Sequence, residues 1–240
     1  MIQCKLWAQT GNQCFMIAAA IAHAKKMSTT WGAPSRTIDP RIWKTYFKTP
    51  PSKSATRHYY KEPRHCYDPI PEVDDLTIEG YFQSEKYFSD AKDEVKKALG
   101  FPDKRLSSVA IQIRRGDYLL YPDQFPVLPL EYYKQAIDKM IELGQDWFKV
   151  YSDDIPFCKK MFGGIGFTCE YSENKDPLAD MYEIYNSDAM IIANSTFSLF
   201  PSLLRADNPT VVAPAEPRWY GPVNKQLETC DLMPERFIKI

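Results

Sequence analysis

Three short polar clusters in the sequence follow predicted β-strands, and their residue types suit the binding of a phosphorylated ligand. Residues 114–117 (RRGD) follow the apolar segment 108–113, residues 194–198 (NSTFS) follow the segment 189–193, and residues 11–13 (GNQ) follow a short strand at the N-terminus. In a parallel α/β sheet, ligands bind beyond the carboxyl ends of the strands. We therefore expect these clusters to contribute to a ligand site.

The RRGD cluster offers two guanidinium groups, whose planar N–H donors match the oxygens of a phosphate. Side chains that are adjacent at a strand end point in different directions, so we expect one arginine to face the ligand while the other braces the loop. Asp117 is expected to hold the second arginine. The alternative is a structural Arg–Asp pair, but a charged run at the end of a buried strand is costly unless it meets a ligand or a partner.

The NSTFS cluster begins a predicted helix. Backbone amides and hydroxyl groups at a helix N-terminus form an anion site, and the helix dipole favours a diphosphate there. Ser195 or Thr196 is expected to cap the helix. An ordinary serine or threonine cap, which many helices have, is the alternative interpretation. The arginine pair elsewhere in the sequence favours the anion site.

Single residues add weaker signals. Gly11 permits close approach of the backbone, and Asn12 offers an amide to a sugar or phosphate, although a helix-capping asparagine explains the same pattern. Asp180 can accept from N1–H and the N2 amino group of guanine, but on spacing alone a favourable charge at a helix N-terminus is the preferred interpretation. Asp153 and Asp154 are equally consistent with a helix cap.

Alternating strands and helices must position these residues. Strands are predicted at 2–8, 76–81, 108–113, 148–152, 166–171, 189–193 and 210–213. Helices are predicted at 13–26, 89–99, 130–143, 179–187 and 198–205, with a further helix that is capped by Ser152 or Asp153 and ends at Phe162. Proline and aromatic residues dominate 28–75, which excludes long helices there. The alternation predicts an α/β fold with mostly parallel sheets.

The composition narrows the class of function. The net charge is −1, so no overall field attracts nucleic acid and any anion site must be local. The six cysteines lack zinc-ligand spacing, and we expect buried free thiols. The absence of a Ser–His–Asp order or a metal constellation gives hydrolysis and metal chemistry little weight. The longest nearly apolar run, 14–24, is about half a membrane span, and no signal peptide is evident, which predicts a soluble, cytoplasmic protein.

Five segments together resemble glycosyltransferase family 11, the α-1,2-fucosyltransferases, and more distantly the α-1,6- and protein O-fucosyltransferases. In order along most of the chain, they are GNQCF, GYFQSEKYF, IQIRRGDY, YSDD and DMYEIYNSDAMIIANSTFSLF. Each segment is modest evidence by itself. Their order and spacing make the resemblance specific.

The resemblance implies a GT-B-like α/β fold, in which two Rossmann-like domains face each other across a cleft. We expect an N-terminal, acceptor-side domain at 1–105 and a C-terminal, GDP-sugar-binding domain at 106–240. The implied activity is inverting, metal-independent transfer of a 6-deoxyhexose, with L-fucose as the default, from a GDP-sugar to a hydroxyl of a glycan acceptor. The resemblance implies no cofactor and no metal ion.

The resemblance also implies roles for individual residues. Arg114 would be catalytic, because it would contact the donor β-phosphate and stabilise the negative charge that develops on departing GDP. Asp180 would recognise guanine, and Asn12 would lie at the sugar-diphosphate end of the donor. The residues expected to bind the GDP-sugar are Asn12, Gln112, Arg114, Asp153, Asp180, Ser195, Thr196 and Phe197.

Departures from the family pattern leave alternatives open. Gln112 replaces a family histidine; it keeps hydrogen bonding but cannot titrate. Leu199 and Phe200 replace a Trp-Trp pair. The donor is therefore GDP-fucose or another GDP-6-deoxyhexose such as GDP-rhamnose. The competing classes are a non-catalytic nucleotide- or glycan-binding relative and a nucleotide-sugar hydrolase. The general base is not identified, and Glu85 is one candidate.

Overall fold

The described residues of the protein form two compact units. The computed structural model describes residues 1–34, 47, 50–52 and 55–240. The first unit consists of Met1–Phe101 and Glu228–Pro234, and the second of Pro102–Leu227 and Glu235–Ile240. A short stretch near the C-terminus therefore belongs to the first unit, before the chain returns to the second.

A five-stranded parallel sheet forms the centre of the first unit. Its strands are β1 (Ile2–Cys4), β2 (Trp31–Pro34), β3 (Pro51–Ser52), β4 (His58–Lys61) and β5 (Leu76–Glu79), in the order β3-β2-β1-β5-β4. Its helices are α1 (Thr10–Lys26) and α2 (Lys92–Leu99), with short 3-10 turns at Glu85–Tyr87 and Ser89–Ala91. Helix α1 follows the central strand β1 and begins beyond the carboxyl end of that strand.

Helix α1 is buried on nearly all sides, as its sequence predicts. The segment from Cys14 to Ala20 is fully buried, and the basic residues of the last turn complement the helix dipole. Helix α2 ends at Gly100, which takes the left-handed conformation (φ 73°) that glycine adopts without steric cost. Neither α1 nor any other helix in the described part of the chain is long and apolar enough to cross a membrane.

A six-stranded parallel sheet forms the centre of the second unit. Its strands are β6 (Leu106–Ile113), β7 (Phe148–Ser152), β8 (Glu170–Tyr171), β9 (Ser187–Ile191), β10 (Thr210–Ala213) and β11 (Ile238–Lys239), in the order β11-β10-β9-β6-β7-β8. Its helices are α3 (Leu130–Glu142), α4 (Ile155–Gly163), α5 (Pro177–Asn186) and α6 (Thr196–Leu204). Numbered from β6 as the first strand, the order reads 3-2-1-4-5-6, the order of Rossmann-like domains. The order reverses between β6 and β9.

The core of the second unit explains why its strands read as apolar runs. Residues 108–113 of β6 are all buried, because a parallel strand in the middle of a sheet is covered on both faces. Side chains of helices α3 and α4 pack against β6, β7 and β9. The fully buried residues of this core include Val109, Ile111, Tyr132, Ala136, Met140, Val150, Cys158, Phe162 and Ile191.

The strongly apolar helices and strands occur where the sequence predicts them, but some of them begin or end at other residues than predicted. Strands β7 and β10 occupy the predicted residues. Helix α1 begins at Thr10, three residues earlier than predicted, so Gly11 and Asn12 lie in its first turn rather than before it. Strand β1 ends at Cys4, and the left-handed backbone of Ala8 (φ 59°) interrupts an extended chain. The apolar pattern of α1 starts only at Cys14 and could not reveal the first turn.

Short or exposed strands were missed by the prediction. Strands β2, β3, β4 and β11 have two to four residues each. Strand β4 (HYYK) lies at the edge of its sheet and is largely exposed, so it has no apolar alternation to detect. The described part of 28–75 contains no long helix, as expected; residues 35–46, 48–49 and 53–54 lie outside the described residues.

Two of the six cysteines form a disulfide, contrary to the expectation of free thiols. Cys66 follows β4, Cys230 lies in the C-terminal stretch of the first unit, and their Cα atoms are 6.1 Å apart. A separation of 164 residues gives no local signal of this pairing. Buried free thiols are present, as expected, at Cys4, Cys14 and Cys158, and Cys169 is free and half-buried.

Candidate functional site

Three neighbouring strands of the second unit, β9, β6 and β7, end beside one another. Ile111 of β6 pairs with Ile191 of β9 and with Val150 of β7, so the residues that follow these strands emerge at the same edge. Neighbouring strands are about 4.8 Å apart. The cluster at 114–117, the cluster at 194–198 and the two aspartates after β7 are therefore brought together, at the point where the strand order reverses.

Arg114 is held between two carboxylates. Its Nη2 donates to Asp117 Oδ1 at 2.6 Å, and its Nη1 lies 2.8 Å from Asp153 Oδ2. The guanidinium carbon lies 5.5 Å from the centroid of the Tyr118 ring, and the side chain is 20% exposed. These contacts fix the plane of the guanidinium just beyond the carboxyl end of β6.

Arg115 points towards helix α4. Its Nε donates to Asp154 Oδ2 at 3.0 Å, and its guanidinium carbon lies 3.4 Å from the centroid of the Phe157 ring. The two arginines thus diverge, as expected. The expected partner was wrong: Asp117 pairs with Arg114, whereas Arg115 is held by α4, because its side chain leaves the strand end on the α4 side.

The two aspartates after β7 have different contacts. Asp154 is the N-cap of α4, and its Oδ1 accepts from the Phe157 amide at 3.1 Å. Asp153 Oδ1 accepts from the Arg115 amide at 2.9 Å, in addition to the ion pair with Arg114. The prediction that Ser152 or Asp153 caps the helix was therefore wrong, whereas the cap interpretation of Asp154 is confirmed. Ser152 is still the last residue of the strand, and Asp153 is turned towards the arginine loop.

Gly116 allows the arginine loop to approach Asp153. A Cβ atom at position 116 would lie 2.5 Å from Asp153 Oδ2 and 3.2 Å from its Cγ. Carbon and oxygen atoms do not approach that closely without displacement, so any larger residue must shift the carboxylate. The glycine is thus tied to the ion pair between Asp153 and Arg114.

Gln112, which replaces the family histidine, is buried beneath the start of α6. It is 4% exposed, and its Oε1 accepts from the Ser198 hydroxyl at 3.1 Å. Ser198 lies in the first turn of α6. In the structure, Gln112 therefore joins the end of β6 to the helix start that carries the second cluster.

Helix α6 begins at Thr196, with Ser195 as its N-cap. Ser195 Oγ accepts from the Phe197 amide at 3.3 Å. Ser195 is buried, and Thr196 and Phe197 are half-buried. The ordinary serine cap, which was the alternative to an anion site, is present. A phosphate bound at this helix start would share its amides with the Ser195 hydroxyl.

Tyr118 and Asn194 connect the two clusters, although no individual role was predicted for either residue. Tyr118 Oη donates to the Asn194 carbonyl at 2.8 Å. Asn194 Nδ2 donates to the carbonyls of Pro126 and Trp219 at 2.9 and 3.2 Å. In the sequence, only their positions inside the IRRGDY and NSTFS segments indicate that they belong to the candidate site. The arginine loop and the start of α6 are therefore joined by hydrogen bonds.

Asp180 lies in the first turn of α5, beside the end of β8. Its carboxylate accepts from Ser172 Oγ, and from Asn174 Nδ2 at 3.0 Å. Burial raises the pKa of the Asp180 carboxyl group, and these hydrogen bonds oppose the shift. Strand β7 separates β8 from β6, a distance of about 10 Å. One ligand can reach both Asp180 and Arg114 only by extending across the end of β7.

Two further candidates lie in the first unit. Asn12 is in the first turn of α1, where its Oδ1 accepts from Gln83 Nε2 at 2.6 Å. Glu85, the candidate general base, forms an ion pair with Lys92. The other predicted donor-binding residues, from Gln112 to Phe197, belong to the second unit.

One group of potential metal ligands occurs among the residues that the structure describes. Cys66, Glu228 and Cys230 bring three ligand atoms within 4.8 Å of one another. The two sulfur atoms are bonded to each other, and the thiolate is the form of cysteine that binds metals. This group is therefore explained by its disulfide.

The sequence profile of Glycosyl transferase family 11 matches residues 57–220, more than half of the chain. The chain belongs to this family. The matched range contains the arginine loop, Asp180 and the start of α6, whereas Asn12 precedes it. The prediction of a family 11 glycosyltransferase is confirmed. No curated protein sequence matches the chain significantly.

Solved structures of fucosyltransferases resemble the chain at low sequence identity. NodZ alpha-1,6-fucosyltransferase, a protein from Bradyrhizobium whose crystal was soaked with GDP-fucose, has 12% identity and a TM-score of 0.50, over 87% of this chain and 96% of NodZ. POFUT1 in complex with GDP has 14% identity and a TM-score of 0.47, over 88% of this chain and 96% of that one. An Arabidopsis thaliana FUT1 variant in complex with GDP has 13% identity and a TM-score of 0.49, over 90% and 71%.

The likeness to NodZ shows a shared fold. The predicted α/β class, with parallel sheets and a fucosyltransferase-like fold, is confirmed. The cleft between two domains, the boundary between 105 and 106, and the roles of the individual site residues stay predictions.

Proposed function

We propose that this family 11 enzyme transfers L-fucose from GDP-fucose to a hydroxyl group of a glycan acceptor, with inversion at the anomeric carbon. Family membership supports a glycosyltransferase, and the fold shared with NodZ supports GDP-fucose as the donor. The observation that carries the proposal is the meeting of Arg114 and the start of α6 where the strand order reverses. Sheets of this topology bind nucleotides at that point.

The proposed reaction is a single displacement. The acceptor hydroxyl oxygen forms a bond to the anomeric carbon of fucose, while the bond between that carbon and the β-phosphate oxygen breaks. GDP leaves with the bonding electron pair, and the hydroxyl proton passes to a base or to water. Negative charge develops on the β-phosphate, where the Arg114 guanidinium and the N-terminus of α6 stabilise it. Fixed donors of this kind make a metal ion unnecessary.

The carboxylates around Arg114 offset the positive charge of the proposed phosphate site. Asp117 and Asp153 hold its guanidinium, and together with Arg115 and Asp154 the cluster carries two positive and three negative side chains. Such a net charge provides little overall electrostatic attraction for a diphosphate. Recognition therefore depends on directed N–H donors, from the guanidinium and from the α6 amides, rather than on the overall field. The carboxylates contribute by fixing the direction of those donors.

Substitution of Arg114 tests the proposal. We expect Arg114→Ala to lower the affinity for GDP and the rate of transfer by about 100-fold, the scale of a lost donor to a developing charge. Arg114→Lys keeps the charge but loses the planar fork, so it should restore only part of the activity. The measurements are calorimetric titration with GDP and the initial rate of transfer.

A matched control is available in the first unit. Arg57 is 85% exposed and pairs with Asp75 at 2.7 Å, so Arg57→Ala removes the same kind of group from the surface and should leave both quantities unchanged. Unchanged GDP affinity and transfer in a folded Arg114→Ala protein would refute the proposed role of Arg114.

A donor screen distinguishes the alternatives. Purified protein is incubated with GDP-fucose, GDP-rhamnose or GDP-mannose and a panel of small glycans, with and without EDTA, and products are identified by mass spectrometry. We expect a fucosylated product whose yield EDTA does not change. Transfer of rhamnose identifies the other donor. GDP release that no acceptor accelerates indicates a hydrolase, and GDP binding without any product indicates a non-catalytic relative.

A further inference from the structure

Four exposed apolar side chains lie on two loops of the second unit, and we call them the apolar patch. Leu119, Leu120 and Tyr121 are 51%, 73% and 53% exposed, and Val223 is 55% exposed. Eight large apolar side chains are exposed in the described part of the chain, so the patch contains half of them. Exposed apolar groups that lie together mark binding surfaces, whereas scattered ones do not.

Hydrogen bonds between the two loops bring Val223 to the other three residues. The amides of Gly221 and Val223 donate to the carbonyls of Gln124 and Asp123 at 2.9 and 3.0 Å. A Cβ atom at position 221 would lie 2.4 Å from the Asp123 carbonyl oxygen, so only glycine permits this contact without displacement. The Tyr121 carbonyl in turn accepts from the Gln124 amide at 3.0 Å. The patch is therefore held on one framework of paired loops.

The patch begins at the arginine loop. Leu119 is the last residue of a 3-10 turn, Asp117–Leu119, and its amide donates to the Arg115 carbonyl at 3.0 Å. A 3-10 turn rises about 2 Å per residue, so Leu119 lies about 4 Å along the turn from Asp117, the residue that pairs with Arg114. In the proposed reaction, the acceptor must approach the anomeric carbon beside this guanidinium. The patch therefore lies next to the place where the acceptor binds.

The charge around the patch does not suit the surface of an anionic membrane. Residues 119–126 and 219–224 contain no lysine or arginine and one aspartate, Asp123. The neighbouring Arg218 is turned to the Ile240 carbonyl, which lies 3.2 Å from its Nη1. Segments that bind anionic membrane surfaces are rich in lysine and arginine. The patch therefore favours an uncharged, apolar ligand.

The patch is also too small for a stable contact with a second protein molecule. Such an interface takes about 20 residues or more from each partner, and the patch has four side chains. A short hydrocarbon chain needs no such area, because each methylene group that is removed from water contributes to binding. The size of the patch therefore suits an apolar group of a small ligand.

We propose that the apolar patch binds a hydrocarbon aglycone, which is an apolar group attached to the acceptor glycan. The preferred acceptor is then a glycan linked to an alkyl or acyl chain, as in a glycolipid, rather than a free oligosaccharide. This inference rests on the proposed function, because it takes the ligand of the patch to be the acceptor. All residues of the patch belong to the second unit, as Arg114 does. The patch discriminates between acceptors and has no part in the bond-forming step.

Paired acceptors that differ only in the aglycone test the inference. Initial rates of fucose transfer are measured for each glycan of a panel in its free form and as its octyl glycoside, below the micelle concentration. We expect kcat/KM to be roughly 10-fold higher for the octyl glycoside, the scale of two methylene groups removed from water. In Leu120→Ser, the ratio of the two kcat/KM values should fall towards one, because the most exposed side chain of the patch becomes polar. A ratio of one in the wild type, or a ratio that Leu120→Ser leaves unchanged, would overturn the inference.

Leu143→Ser is the matched control. Leu143 is 48% exposed but lies at the end of α3, so the same substitution there should leave the ratio at its wild-type value. Analytical ultracentrifugation and co-sedimentation with phospholipid vesicles address the other occupants of an apolar surface. Dimers or vesicle binding that Leu120→Ser abolishes would overturn the inference, because the patch would then bind a second copy of the chain or a membrane.

The closing experiment is carbon-13 NMR of the leucine methyl groups in the presence of GDP, with Leu120→Ser identifying the Leu120 signals. The inference predicts that these signals shift when the octyl glycoside is added and stay in place with the free glycan. Unshifted Leu120 signals in a protein that transfers fucose refute the inference and leave the proposed function intact. Absence of transfer to every acceptor refutes the proposed function, and with it the acceptor as the ligand, even where the Leu120 signals shift.

Discussion

The Arg114 guanidinium is fixed by carboxylates whose positions depend on a neighbouring glycine. In Gly116→Ala, the new Cβ would lie 2.5 Å from Asp153 Oδ2, so the carboxylate must leave its place beside Arg114 Nη1. We expect kcat/KM for the donor to fall about 10-fold, because the guanidinium loses one of the two partners that orient it. Thermal denaturation shows whether the variant is folded, so that a loss of donor binding is separated from a loss of stability.

Gly164→Ala is the control for this substitution, because a Cβ at position 164 meets no atom within 4 Å. Steady-state kinetics and thermal denaturation of both variants check the prediction. Wild-type kinetics for Gly116→Ala would show that the Arg114–Asp153 pair has no part in donor binding.

The proposed recognition of guanine by Asp180 predicts that the affinity for GDP depends on pH. Its carboxyl pKa is raised by burial, and the group can accept from both guanine donors at once only when it is ionised. GDP affinity should therefore fall as the pH is lowered through this raised pKa, and Asp180→Asn should abolish that acidic limb and weaken GDP binding relative to ADP binding. Because the pKa of this carboxyl group is raised in the folded protein, its ionisation at a pH above that pKa lowers the free energy of unfolding. Asp180→Asn should therefore not lower the melting temperature at pH 7.

Calorimetry with GDP and ADP between pH 4 and 8 measures this effect. Asp188→Asn, at an exposed position of β9, is the control. A preference for GDP over ADP that survives Asp180→Asn would assign guanine recognition to another residue.

At the scale of single residues, the sequence predicted where the polar side chains emerge better than it predicted their individual contacts. The divergence of the two arginines follows from strand geometry and was predictable. The partner of each arginine and the cap of α4 were not, because a shift of one residue decides whether Asp153 or Asp154 faces the helix. The buried Gln112 is hydrogen-bonded to Ser198 of a helix that is distant in sequence, which no local pattern reveals.

Helix α6, which carries the second cluster, is anchored at its other end by Arg205. Arg205 is 4% exposed; its Nη1 donates to the carbonyls of Tyr185 and Ser187 at 2.7 and 2.8 Å, and its Nε and Nη2 donate to Asp207. We expect Arg205→Met to lower the free energy of unfolding by about 3 kcal/mol, because buried carbonyls lose their partner.

Arg105→Met is the matched control, since Arg105 pairs with the same Asp207 but is 60% exposed. A surface pair of this kind contributes less than about 1 kcal/mol. Chemical denaturation of both variants gives the two values. Equal losses would show that Arg205 is no more than a surface ion pair and does not fix α6.

At the scale of elements, predictability followed hydrophobic pattern. Strand β6 and helix α3 have strong apolar signals and were located to within two residues, whereas β4 is an exposed edge strand without alternation. The first turn of α1 was assigned to a turn because Gly11 and Asn12 are typical of turns. Its place inside the helix is what brings Asn12 to Gln83.

At the scale of the whole molecule, the order of elements sufficed to predict parallel α/β sheets, because strands and helices alternate along the chain. The contribution of Glu228–Pro234 to the first unit was not predictable. It depends on the disulfide and on an Asp231–Lys86 ion pair, both of which join residues more than a hundred positions apart. Leu232 of the same stretch is buried.

A crystal structure of the protein with GDP tests the proposed nucleotide site. We predict that the pyrophosphate lies within hydrogen-bond distance of the Arg114 guanidinium and of a backbone amide in the first turn of α6, with guanine beside Asp180. A pyrophosphate that contacts neither Arg114 nor α6, or a nucleotide bound at another edge of the sheet, would contradict it.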